Sequence, residues 1–208
     1  MSRARTRPEK GSGKRAASAR RKKSRAEPVQ LEVIVRSALW KKRRTAKSVV
    51  KKAVLAAAKA ASTAPAELAI VLSNDSTIRA LNRDWRGKNA PTNVLSFPAA
   101  PDRPVRTAGP RRRSGKSRAP SPYIGDIVIA YQTTAREAVA EGKPFDHHLA
   151  HLAVHGFLHL LGYDHENDRD AEKMESLERR ILGRLAVPDP YAPNPYAPNP
   201  YAPSVSAD

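Results

Sequence analysis

The run His155-Gly-Phe-Leu-His159-Leu-Leu-Gly-Tyr-Asp-His165 constrains this chain more than any other stretch. Histidines four apart stack on one face of a helix, a single turn from each other. Gly162 then supplies a residue that tolerates the left-handed backbone of a helix stop. A chain that reverses there brings His165 back toward the first two. Helix, stop and returning ligand are encoded together. Three imidazoles meeting at one point describe a divalent metal site with a position left for water, so the leading reading is a hydrolytic metalloenzyme.

Composition narrows the setting. The 208 residues allow one medium-sized domain plus appendages. Cysteine is absent, which removes disulfides and thiolate ligands and fits a reducing cytosol. No apolar run approaches membrane-spanning length. The Arg- and Ser-rich N-terminus has neither the hydrophobic segment of a signal peptide nor the apolar face of a transit peptide. A cytoplasmic protein without membrane contact is expected. The net charge of +18 is concentrated in two stretches. Residues 1–27 carry eleven Lys/Arg against two Glu, a net of +9, and residues 101–122 carry seven against one Asp, a net of +6. Both are poor in apolar residues and are expected to be disordered arms. Such arms commonly bind polyanions, here RNA or DNA.

Between and beyond the arms, periodicity outlines the elements. Val29–Val35 alternates like a half-buried strand, and Thr45–Ala61 has helical spacing. Glu67–Ser73 reads as a second strand, followed by a helix capped by Asn74 or Asp75 and running toward Trp85. Arg86–Pro91 is loop, Asn93–Phe97 a short strand ended by Pro98, and Ile124–Tyr131 a further strand. Thr133–Glu141 is helical. Asp146 can cap the histidine-bearing helix, which continues to about Leu161. A last helix covers Asp168–Leu185 with Met174, Leu177, Ile181, Leu182 and Leu185 on one side. About four strands and five helices give an α+β (α/β-like) fold, a small mixed sheet covered by helices with the zinc site at a helix end. The domain spans 28–190 with the basic insertion at 101–122. Residues 191–208, which continue a Pro-Tyr-Ala-Pro repeat, form a passive, disordered Pro/Tyr-rich tail.

The histidine spacing matches the H-E-x-x-H-x-x-G-x-x-H pattern of zinc peptidases except that Gly156 replaces the glutamate base. A peptide substrate is therefore disfavoured unless the base comes from elsewhere. His147, His148 and His151 lie on the same helix, but His165 already supplies a third ligand, so they orient or pack. Asp164 and Asp126 are candidates to fix the imidazole tautomers. Zinc is inferred from ligand type, although three histidines also suit nickel, iron or copper.

Three blocks carry a resemblance. HLAVHGFLHLLGYDH (151–165), LNRDWRGKNAPTNVLSFP (81–98) and GDIVIAY (125–131) resemble the hallmarks of the YbeY family, bacterial endoribonucleases of ribosomal RNA maturation. The resemblance covers about 29–190, without the insertion. It implies that His155, His159 and His165 bind one Zn2+ and that Arg86 faces the same cleft as a functional residue. It further implies single-strand-specific cleavage in ribosomal RNA processing (16S rRNA 3′ end maturation) and ribosome assembly, with ribosomal RNA and ribosomal subunits as partners. Arg86 could then clamp a scissile phosphate and neutralise developing charge. Asn89 is a departure, since many relatives have aspartate there. The rival readings are a zinc metallopeptidase-like hydrolase and a non-catalytic ribosome assembly factor with structural zinc.

Overall fold

A computed structural model describes residues 29–99, 121–193 and 196. The arm expected at 1–27, the insertion apart from Ser121 and Pro122, and most of the tail lie outside them.

The strands are β1 (Val29–Val35), β2 (Ala66–Ser73), β3 (Val94–Pro98) and β4 (Tyr123–Ala130). They form one sheet in the order β1-β2-β4-β3, an order that local periodicity does not encode. The β1–β2 and β2–β4 pairs are parallel and β3–β4 is antiparallel, so the sheet is mixed. Position dictates composition: β1 at one edge alternates in burial, whereas the inner β2 is buried along most of its length.

Five α-helices complete the described fold: α1 (Ala46–Ala60), α2 (Asp75–Arg86), α3 (Tyr131–Ala140), α4 (Phe145–Leu160) and α5 (Asp168–Gly183). This is the expected α+β architecture, with element ends shifted by a residue or two. A 3-10 turn at Ala38–Lys42 was not anticipated. Its Trp40 is buried, and the indole Nε1 donates to the Ser73 carbonyl at 2.7 Å.

Helix α4 is the centre of the molecule. Eleven of its sixteen residues are buried, so it is a core helix enclosed by β3, β4, α1, α3 and α5. The Ala-rich face of α1 (Ala46, Ala53, Ala57) gives small side chains to that packing. On the other side of the sheet, Ile78 of α2 meets Leu95, Val128 and Ala130. Asp146 does not cap α4. Pro144 occupies the N-cap position without a side-chain bond, and Asp146 sits in the first turn, accepting from the Thr45 hydroxyl at 2.8 Å. A carboxylate there still complements the positive end of the helix.

Candidate metal centre

The end of α4 is built to turn the chain back. Gly162 has φ of 85°. The Tyr163 N–H donates to the Leu158 carbonyl at 3.1 Å and the Gly162 N–H to the His159 carbonyl at 3.0 Å, the paired bonds of a Schellman stop. Three residues later His165 faces the helix again. Its ring centroid lies 5.5 Å from that of His155 and 5.1 Å from that of His159. Each ring offers one nitrogen to a group whose donor atoms all lie within 4.8 Å of one another.

This donor set fits a metal ion. The Nε2 atoms of His155 and His159 are 3.1 Å apart. Two nitrogens on a tetrahedral zinc stand about 3.3 Å apart, given Zn–N bonds of about 2.0–2.1 Å. Burial, reinforced by the neighbouring His155 and His165, pushes the His159 imidazole down to about 4. It is therefore neutral at physiological pH, with a lone pair to give. Among the described residues three protein ligands converge, the number associated with a site that keeps an open position.

The histidines form one wall of a cleft of about 570 Å³ that Arg86, Asn93, Ser96 and Glu166 also line. Arg86 is the last residue of α2, and Gly87, at φ of 69°, ends the helix behind it. The structure thus brings together all four residues singled out from the sequence. The loop beyond is pinned from within: Asn82 Nδ2 donates to the Ala90 carbonyl at 2.8 Å, and Arg79 Nε to Asn89 Oδ1 at 2.9 Å. Asn89 shapes this loop and does not line the cleft.

Gly156 has a packing reason. A Cβ at this position would meet Ile127 Cγ2 at 2.9 Å and Ser96 Oγ at 3.1 Å, and the Ser96 hydroxyl donates to the Gly156 carbonyl at 3.0 Å. The position where zinc peptidases carry their base is here pressed against the sheet.

Of the two carboxylates expected behind the imidazoles, Asp126 is not one. Its Oδ1 accepts from the Tyr123 hydroxyl at 2.6 Å, and it lines a separate groove with Glu32. Burial, with the hydrogen bond to Asp126, pushes that phenol up to about 12. Asp164 does line the cleft, but its Oδ1 accepts from the His165 backbone N–H at 2.7 Å and so shapes the turn.

The carboxylate that does contact one of these histidines, His155, is Glu178 of α5, which the sequence reading missed. Its side chain is 0% exposed. Oε1 accepts from His155 Nδ1 at 2.9 Å, and Oε2 lies 3.2 Å from His151 Nε2. Burial alone would raise this acid, but the bonds from His151, His155 and the Tyr191 hydroxyl outweigh it and hold the group down to about 2. One signal was available. Glu178 interrupts the apolar stripe Met174, Leu177, Ile181, Leu182 at core spacing, where a carboxylate needs partners. The other histidines have separate partners, in line with an orienting or packing role. His148 is buried with Nε2 2.8 Å from Glu137, and His147 Nδ1 lies 3.2 Å from the Tyr196 hydroxyl.

Comparison with known proteins gives the family. The family model described as Endoribonuclease YbeY matches residues 35–186. Endoribonuclease YbeY of Rhodopseudomonas palustris (strain BisA53) is 54% identical over 168 residues, covering 79% of this chain and 91% of that protein. Endoribonuclease YbeY of Bradyrhizobium sp. (strain BTAi1 / ATCC BAA-1182) is 53% identical over 163 residues, covering 77% and 91%. The solution structure of TM1509 from Thermotoga maritima is 20% identical, with a TM-score of 0.45, over 76% of this chain and 92% of that one. With a family model matched across most of its length and relatives above half identity, this chain belongs to the YbeY family.

Proposed function

We propose that this chain is a metal-dependent endoribonuclease that hydrolyses phosphodiester bonds of single-stranded ribosomal RNA in the cytoplasm, during 16S rRNA 3′ end maturation and ribosome assembly. The activity follows the name its relatives carry. The observation that carries the chemistry is the convergence of His155, His159 and His165 on one wall of a cleft that Arg86 also lines. Those three histidines would hold one zinc ion. When bound, zinc supplies Lewis acidity toward a phosphoryl oxygen and acidifies water toward neutral pH.

The chain's own residues do the rest. His159 is kept neutral by burial. His155, bonded through Nδ1 to a carboxylate, presents Nε2 to the cleft. Arg86 clamps the scissile phosphate through its guanidinium fork and offsets the charge that develops there. In this reading the catalytic domain spans 28–190, and the basic stretches 1–27 and 101–122 add phosphate contacts along the RNA.

Gly156, packed against Ile127, argues against the peptidase alternative, because no side chain there can act as base. Among the described residues three ligands converge where a closed structural site uses four, which argues against a purely structural metal. The test is His159→Ala beside the wild type, assayed on ribosomal RNA and on a peptide library with metal content measured in parallel. RNA cleavage and bound metal should be lost together. Peptide hydrolysis by the wild type, or RNA cleavage by a metal-free variant, would overturn the proposal.

A further inference from the structure

We propose that Glu178 is a positioning residue of the metal centre and that Tyr191, in the segment after α5, locks it there. This rests on the reading of His155, His159 and His165 as metal ligands. An apolar side chain would pack as well at position 178, among Met174, Leu177, Ile181 and Leu182, without the penalty of burying a charge. Core packing therefore does not explain a carboxylate at this place. Its contacts do. A neutral imidazole can carry its proton on either nitrogen. The carboxylate at 2.9 Å from His155 Nδ1 selects the tautomer with the proton on that atom and leaves the Nε2 lone pair aimed at the cleft, 3.1 Å from His159 Nε2.

Glu178 is itself held in place. With the side chain 0% exposed, no solvent shares its oxygens, and Oε2 takes both His151 Nε2 and the Tyr191 hydroxyl. The Tyr191 ring stacks near the Arg179 guanidinium, 5.2 Å from its centroid, and stands edge-on to His151 at 5.8 Å. The beginning of the Pro-Tyr segment, expected to be a passive tail, is thus tied to the back of the metal site through one phenol.

The donor atoms of His151, His155 and Glu178 also lie within 4.8 Å of one another, so they could in principle hold a second cation. Such an ion would need His155 Nδ1 as a ligand in place of its hydrogen bond. The Tyr191 hydroxyl and His151 Nε2 already bond to Oε2, and His155 Nδ1 to Oε1.

The experiment is zinc affinity of the full-length chain by competition with a chromophoric chelator. It is paired with the visible spectrum of the cobalt(II)-substituted protein and the melting temperature of the metal-free form. Glu178→Gln should weaken zinc binding about 10- to 100-fold and shift the cobalt spectrum. Tyr191→Phe should weaken it by a smaller factor and shift the cobalt spectrum in the same direction. The double variant should bind no more weakly than Glu178→Gln alone, because the phenol acts through the carboxylate. Wild-type affinity in Tyr191→Phe would overturn the proposal, even if Glu178→Gln fails to fold. Additive losses, or two zinc ions per wild-type chain, would overturn it too. A wild type that binds no zinc at all would instead remove the metal reading of the cleft, and this inference with it.

Discussion

On one wall of the cleft, His155 and His159 rise from a helix buried for most of its length, and His155 is bonded from behind to a fully buried carboxylate. A second part of the cleft's lining comes from α2, whose exposed last residue is Arg86, placed there by the helix end at Gly87. The difference teaches a division of labour. The spacing of His155 and His159 is set by the core around α4. A side chain that meets a flexible single strand gains from freedom to follow the phosphate. In the proposed reading, the first wall sets where chemistry occurs and Arg86 adapts to the strand brought there.

The contrast breaks first at Arg86. Arg86→Ala should lower RNA cleavage about 10²- to 10³-fold, the usual loss when a single donor to developing charge is removed. Zinc content and melting temperature should stay at wild-type values. A parallel loss of metal would mean that Arg86 and the first wall are one structural unit.

The first wall was largely legible in sequence, because spacing along a single helix carries geometry: four residues make one turn, and Gly162 marks the reversal. The strands were legible for the same reason, through local alternation and β-branched content. What was illegible crosses between elements. Glu178 is 23 positions from the His155 it contacts, and the strand order depends on pairings that no local pattern records. Asp126 was a reasonable carboxylate to expect near the site, but its oxygen is taken by Tyr123. Asp146 had the chemistry of a cap, but α4 begins at Phe145, so it falls inside the first turn.

The rigidity of the first wall can be sharpened at Gly156. Gly156→Ala places a methyl 2.9 Å from Ile127 Cγ2, so the Ile127 side chain or α4 must shift. The expected cost is about 1–3 kcal/mol of stability, read as a lower denaturation midpoint. An unchanged midpoint would show that the helix has room to shift, and the account of the missing glutamate would fall with it.

The smallest effect concerns the basic stretch at 1–27. Deleting residues 1–27 should flatten the salt dependence of RNA affinity by about 0.7 in log–log slope for each phosphate that the arm neutralises. The metal site should be untouched. An unchanged slope would make the arm a bystander to RNA binding.

The most direct test of the central claim needs no substitution. Wild-type protein is stripped of metal by chelation, assayed on ribosomal RNA, then titrated with zinc. The account predicts no cleavage without metal and recovery that saturates at one equivalent per chain. Cleavage that survives complete removal of the metal would contradict it.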